Sequence, residues 1–265
     1  MSECWRNLKQ LHLRKRLGQH ILVDERYIEL FTDAVGEARV VYEIGCGLGS
    51  LTLKLAKRVE YVFCSEIDPN MVFLLKECVK EVGNADIVLS DATKLALSRS
   101  RHVVVSNTPF NLSSEIVLLL CRDEALEYAI LGVQREVGER LLAQPMSRNY
   151  GRLSIVAQLC FSIDELFIIP SRAYVPRPKV ETMVVRMVPT RMFPPSFLEH
   201  LEAFTQKVFP YRRKKLQTGL SIGLGISKEQ AREILSQAGI DPDKRVYETS
   251  PWDFVKIVKH LSFQS

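Results

Sequence analysis

Over the first two thirds of the chain, short runs of β-branched and aliphatic residues alternate with longer stretches whose apolar positions recur every three or four residues. A period near two marks a strand, and a period near 3.6 marks a helix with one buried face. On that basis strands are predicted at 40–44, 61–65, 86–89, 102–106 and 128–132. A helix is predicted from Asp24, as its N-cap, to about Val35, with Tyr27, Ile28, Leu30 and Phe31 as its apolar positions. Further helices are predicted at 50–58, 69–82 and 113–121. After Gln134 follow a helix to Ala143, another over 151–160, and strands at 163–169 and 182–188. Such alternation points to a parallel sheet wrapped by helices on both faces.

The pattern changes at 189–195, where Pro189, Pro194 and Pro195 break any regular element. Beyond this linker only the helical period persists, at 197–209, 212–220, 228–238 and 252–261. Ser227 with Gln230 has the form of a capping box. The chain is therefore expected to fold as an α/β domain over 1–190 and a small all-helical domain over 191–265.

Composition narrows the classes. The 265 residues are 46% hydrophobic and 25% charged, as in an ordinary globular protein with a full core and room for a second domain. No apolar run reaches the ~18–20 residues of a membrane span, and the N-terminus lacks a secretory signal, so the expected location is cytoplasmic. The net charge is +5. It concentrates in an N-terminal arm (Arg6, Lys9, Arg14, Lys15, Arg16) and at Arg212-Arg213-Lys214-Lys215, which suits a polyanionic partner. The six cysteines are scattered without a CxxC pair, so neither a zinc site nor a disulfide framework is expected.

Chemistry gathers at the ends of the predicted strands. The first ends in Glu43-Ile44-Gly45-Cys46-Gly47-Leu48-Gly49, a glycine turn that brings backbone N–H groups close to a ligand. The spacing is GxGxG, not the GxGxxG of dinucleotide-binding enzymes, and any tight strand–helix turn can use it. Two acids give it meaning. Glu66 ends the second strand, where a carboxylate can accept from both hydroxyls of a ribose, and Asp91 follows the third, where it can receive an adenine amino group. Ligands of open α/β sheets bind at the carboxyl ends of the strands, so the three sites describe one crevice for a nucleoside-bearing cofactor.

The fourth strand runs into Asn107-Thr108-Pro109-Phe110. This resembles the N6-adenine methyltransferases, whose motif is Asn/Asp-x-Pro-Tyr/Phe. The lone pair of an adenine N6 is delocalised into the ring, so the amine is a poor nucleophile. The Asn107 side-chain carbonyl and the Pro109 backbone carbonyl can accept its two hydrogens and aim the lone pair at a methyl donor. Proline fixes φ and with it the carbonyl direction. Phe110 offers a π-face to the base and to developing positive charge.

Taken with further segments, the chain resembles the KsgA-type (Dim-type) ribosomal RNA adenine dimethyltransferases, relatives of the erythromycin-resistance rRNA methylases. The likeness begins at Leu17-Gly18-Gln19-His20-Ile21-Leu22 and passes through the sites above and Gln134-Arg135-Glu136-Val137. It continues at Tyr150-Gly151-Arg152-Leu153-Ser154, Tyr174-Val175-Pro176-Arg177-Pro178-Lys179-Val180, the 212–215 basic run, and Gly239-Ile240-Asp241-Pro242 with Arg245. It implies a Rossmann-like class I methyltransferase sheet and S-adenosylmethionine as cofactor. Gln19, His20, Leu22, Gly45, Gly47, Glu66, Ile67, Asp91, Ala92 and Asn107 would bind that cofactor. Asn107, Pro109 and Phe110 would act on the target adenine, with Tyr174 stacking opposite Phe110. Arg212 and Arg213 would grip RNA phosphates. The implied substrate is small-subunit rRNA or a precursor of the small ribosomal subunit, dimethylated at two adjacent adenines by a monomer that engages no metal and no membrane. The motif here is NTPF where the family commonly has NLPY. Losing the hydroxyl spares the stacking face, while Thr108 replaces a larger aliphatic residue. Rival readings are a DNA-adenine or protein-glutamine methyltransferase, or an RNA-binding assembly factor that keeps the pocket without using it.

Overall fold

The structure, a computed structural model, describes residues 19–94 and 100–262. The basic N-terminal arm, with Leu17 and Gly18 of the first motif, lies outside the described residues. Two compact units form, Met1–Gly138 with Ile163–Pro189 and Glu139–Ser162 with Thr190–Ser265.

The first unit is built on a sheet whose strands are β2 (Val40–Ile44), β3 (Tyr61–Glu66), β4 (Ala85–Leu89), β5 (His102–Asn107), β6 (Leu126–Gln134), β7 (Phe161–Ile169) and β9 (Thr182–Pro189). Their order is β4-β3-β2-β5-β6-β9-β7. The pairs from β4 to β6 are parallel, whereas β9 runs antiparallel to β6, with Gly132 opposite Val184. The sheet is thus mixed, where alternation alone predicts it parallel. β5 and β6 are central and buried on both faces, which is why they read as near-continuous aliphatic runs. Helices α1 (Glu25–Asp33), α2 (Thr52–Leu55), α3 (Pro69–Val82), α4 (Ser113–Leu120) and α5 (Arg135–Leu142) connect the strands.

Local chemistry explains the helix ends. Asp24 caps α1 by accepting from the Arg26 N–H, and Asp68 caps α3 by accepting from Asn70, with Pro69 in the first helical position. Gly83, at φ +75°, ends α3. Along α1, Ile28 and Phe31 enter the core, while Leu30 faces outward at 46% exposed, against its expected place. The helix predicted over 50–58 is a single α-turn, Thr52–Leu55, flanked by turns. Two short strands are not visible in the periodicity. β1 (Ile21–Leu22) pairs antiparallel with β8 (Tyr174–Val175) as a separate ribbon, with Leu22 opposite Tyr174.

The second unit holds α6 (Arg152–Cys160), α7 (Pro195–Val208), α8 (Leu216–Leu224), α9 (Lys228–Gln237) and α10 (Pro251–Ser262). Residues 139–162, assigned by the sequence to the α/β domain, belong here. The Tyr150-Gly151-Arg152-Leu153-Ser154 segment is the reason. Tyr150 is fully buried and its hydroxyl donates to the Thr249 carbonyl at 2.8 Å. Ile155 and Leu159 share a core with Leu201, Phe204, Phe254 and Ile257. Ser227 and Gln230 form the expected capping box at α9. Arg212 to Lys215, predicted as helix, precede α8 as a turn.

Cys46, Cys64, Cys121 and Cys160 are free thiols. Among the described residues no helix is long and apolar enough to cross a membrane.

Candidate active site

In the first unit the sheet reverses its winding between β2 and β5, and a crevice opens beyond the strand ends there. The cavity measures about 300 Å³ and is walled by the ends of four successive parallel strands. Gly45 and Gly47 follow β2, Glu66 ends β3, Asp91 follows β4, and Asn107, Pro109 and Phe110 continue β5. Gln19, His20, Leu22, Ile67 and Ala92 complete the set of expected cofactor contacts on its walls.

Gly45 has φ +74°, and a Cβ there would stand 3.3 Å from Cδ and Cγ of Pro109. The residue must be glycine for both reasons, since it lets the turn pass close beneath the Asn107-Pro109 loop. Its N–H donates to the Ser65 carbonyl at 2.8 Å. The Gly47 N–H donates to Glu66 Oε2 at 2.8 Å, and Glu66 Oε1 accepts from Ile67 and Asp68, both at 2.9 Å. The acid therefore organises the glycine turn as well as facing the cavity. Burial pushes the Glu66 carboxyl upward, and the three N–H bonds offset part of that shift. Glu43 lies deeper, 3% exposed. Burial raises its carboxyl to about 7 against the opposing hydrogen bond from the Thr52 hydroxyl, with Glu66 nearby adding to the rise. Asp91 is set differently. The Thr93 N–H and hydroxyl both donate to its Oδ1, at 3.0 and 2.8 Å, and hold it below the usual carboxylate range.

This set of acceptors fits a nucleoside. Glu66 and Asp91 supply acceptors for hydroxyl and amino donors, and Leu48, Leu51 and Met71 make apolar wall. Asp68 holds the approach by accepting from Gln19 Nε2 at 3.0 Å.

At the reacting end the Pro109 carbonyl accepts from the Leu112 N–H at 2.9 Å, which fixes its direction and leaves a second lone pair. Phe110 lies half-buried with its ring 5.2 Å from that of His20. Thr108 turns inward, 2% exposed, and its N–H donates to the Gly132 carbonyl at 2.9 Å. Asn107 Nδ2 donates to the His20 carbonyl at 3.3 Å, and its Oδ1 accepts from the Tyr174 hydroxyl at 3.2 Å. Tyr174, expected to stack opposite Phe110, is 2% exposed and packs among the core residues of the first unit, with its hydroxyl on Asn107.

Two residues at this site were given no role in the sequence analysis. A Cβ on Gly132, which pairs with Asn107, would meet Phe31 at 3.0 Å and Asn107 Oδ1 at 3.3 Å, so this glycine makes room for the amide. Pro176 accepts a hydrogen bond from the His20 ring at 2.7 Å. Only a register between β1 and β8 reveals that pairing.

Within the second unit Arg212 and Arg213 line a cleft with Arg148, Arg245, Met146 and Tyr247. Arg212 lies over the Phe209 ring at 5.4 Å and donates to the Arg148 carbonyl at 3.3 Å. Arg245 donates to the Arg213 carbonyl at 2.6 Å. Among the described residues no group of three or more histidine, cysteine, aspartate or glutamate side chains is placed to hold a metal.

The profile of the family described as ribosomal RNA adenine dimethylase matches residues 10–262. A ribosomal RNA small subunit methyltransferase A from Desulfitobacterium hafniense is 35% identical over 254 residues, covering 92% of this chain and 91% of its own. One of the same name from Rubrobacter xylanophilus is 34% identical over 253 residues, with 94% and 95% covered. Among solved structures, a dimethyladenosine transferase from Plasmodium falciparum superposes with a TM-score of 0.79 at 23% identity, covering 92% of this chain and 98% of that one, a likeness of fold. With a family profile that spans nearly its whole length, this chain belongs to the ribosomal RNA adenine dimethylases, which are S-adenosylmethionine-dependent methyltransferases.

Proposed function

We propose that the cavity carries methyl transfer from S-adenosylmethionine to N6 of adenines in small-subunit rRNA, with two adjacent adenines each dimethylated during ribosome assembly. The observation that supports it best is convergence. One amide, one proline carbonyl and one aromatic face stand at the same crevice as the acids that suit a nucleoside cofactor. The relatives named for small-subunit rRNA methylation supply the substrate class.

The cofactor, when bound, supplies an electrophilic methyl group. Glu66 would accept from its ribose hydroxyls and Asp91 from its adenine amine, while the Gly45–Gly47 turn would allow close approach of the backbone. Gln19, His20, Leu22, Ile67 and Ala92 would hold it from the cavity walls. Asn107 Oδ1 and the Pro109 carbonyl accept the two hydrogens of the target amine, so the nitrogen lone pair points into the cavity. Phe110 stacks on the base, which must leave its loop to reach this depth. No strong base is needed beforehand, because the methylated nitrogen is acidic and loses its proton readily. Alignment therefore supplies most of the rate.

The helical unit is proposed as the RNA-binding part, with Arg212 and Arg213 on backbone phosphates. The enzyme is proposed to act as a monomer in the cytoplasm, where it meets the assembling subunit. The test is to map methylated adenines in small-subunit rRNA of cells lacking the protein, then complement with wild type and with Asn107→Ala. The expected result is that wild type restores the dimethyladenines and Asn107→Ala restores none, while its cofactor affinity falls less than tenfold. Full methylation by Asn107→Ala would end this assignment.

A further inference from the structure

Asn107 does its work only if its amide presents oxygen, not nitrogen, to the incoming amine. A free amide would sample both orientations, because its two ends have nearly the same shape. Here two contacts fix the choice. The His20 carbonyl can only accept, so the end of the amide that meets it at 3.3 Å must be Nδ2. The opposite end is Oδ1, and it accepts from the Tyr174 hydroxyl at 3.2 Å. Both partners are set by one device, the β1–β8 ribbon. Leu22 pairs with Tyr174, the Val23 N–H donates to the Ala173 carbonyl at 2.9 Å, and the His20 ring bonds to the Pro176 carbonyl at 2.7 Å. The ribbon thus holds Asn107 from both ends.

We infer that Tyr174 is a positioning residue for methyl transfer. Its hydroxyl occupies one lone pair of Asn107 Oδ1 and holds the amide so that the second lone pair receives the adenine amine. The hydroxyl carries this role, held in place by a ring that packs among core residues. Burial also raises the phenol well above its ordinary pKa, so it keeps its proton and stays a donor at neutral pH. This inference rests on the functional reading of the cavity given above.

Tyr174→Phe separates hydroxyl from ring, since it keeps the buried shape and removes only the O–H. The assay uses the full chain, S-adenosylmethionine with a labelled methyl group, and small ribosomal subunits purified from cells lacking the protein. The variant is expected to lower kcat about tenfold, the worth of one hydrogen bond of about 1.4 kcal/mol. KM for the subunits and the cofactor Kd should stay within about twofold. The ratio of monomethyl to dimethyl product should rise, because the second transfer has one N–H left to align and depends more on a correctly turned amide. Loss of packing alone would move none of these, since phenylalanine fills the same space. A kcat within about twofold of wild type with an unchanged product ratio would overturn the inference. Asn107→Ala in the same assay keeps the two readings apart. If it is inactive while Tyr174→Phe behaves as wild type, only the role of Tyr174 falls. If it is fully active, the reading of the cavity falls and this inference with it.

Discussion

The cavity of the first unit and the arginine cleft of the second recognise by different physics. In the cavity the charged groups are carboxylates in or near the protein interior, each oriented by directional bonds. Glu66 is held by three backbone N–H groups and Asp91 by Thr93. In the cleft the charges are guanidinium groups, with Arg148, Arg213 and Arg245 exposed and Arg212 half-buried over an aromatic ring. A buried, hydrogen-bonded acid selects one molecule, because any partner with the wrong donor pattern leaves it desolvated and unmatched. An exposed cation reads charge, and its field is screened by salt within about 8–10 Å. One region should therefore fail steeply and locally, the other gradually and with ionic strength.

The sharpest check is Glu66→Gln. The variant keeps the size of the side chain but replaces one acceptor oxygen by a donor. Whichever way the new amide turns, an NH₂ group meets the N–H of Gly47 or those of Ile67 and Asp68. Cofactor affinity should fall roughly a hundredfold, the upper end of what loss of charge-assisted hydrogen bonds costs. RNA affinity should change less than about twofold. Calorimetry with S-adenosylmethionine and filter binding to rRNA fragments measure the two. A loss of RNA affinity comparable to the loss of cofactor affinity would break the contrast between the regions.

The converse variant is Arg212→Ala with Arg213→Ala. It should weaken binding to small-subunit rRNA about tenfold near 0.1 M salt and leave the cofactor Kd unchanged. The plot of log affinity against log salt should flatten by about one unit per arginine removed. An unaltered salt slope would show that the cleft does not meet phosphates.

The two regions were also unequally legible in the sequence. Strand β2 and helix α3 match their predicted bounds because aliphatic runs, Asp68 with Pro69, and Gly83 are strong local signals. The cavity was legible as well, since its ligands stand at strand ends and parallel strands bring those ends together without further information. The ribbon was not. Strands β1 and β8 have two residues each, too few for any period, and their pairing joins positions about 150 apart. That is why the bond from the Tyr174 hydroxyl to Asn107 was not legible beforehand. The antiparallel placing of β9 beside β6 is likewise a matter of chain return, which composition does not encode. For the helical unit, the period identified α6 as a helix but not which core it joins. Only Tyr150 reaching Thr249 and the Ile155–Leu201 core show that.

The smallest expected effect asks whether a buried charge, of itself, makes a functional site. His102 and Asp123 lie off the cavity wall, with side chains 1% and 8% exposed and His102 Nε2 2.9 Å from Asp123 Oδ2. The other ring nitrogen meets the Ser100 carbonyl at 2.8 Å, so both nitrogens face acceptors and the ring favours its doubly protonated form. Burial opposes that charge, but Asp123 and the Ser100 carbonyl outweigh it and raise the pKa above the ordinary 6.5. A group whose folded pKa lies above its unfolded value binds its proton more tightly in the fold. The stability it adds is complete below about 6.5 and is lost as pH rises through the folded value. Asp123→Asn should therefore destabilise the protein by about 1–3 kcal/mol near pH 5.5, the worth of a hydrogen bond to a charged group, and by less near pH 8.5. Urea midpoints at the two pH values measure it. Methyl transfer under folding conditions should be unchanged, because the pair touches no wall of the cavity. A loss of kcat in this variant at full folded population would mean that the sheet transmits strain from His102 at one end of β5 to Asn107 at the other. The cavity could then no longer be treated as a local site.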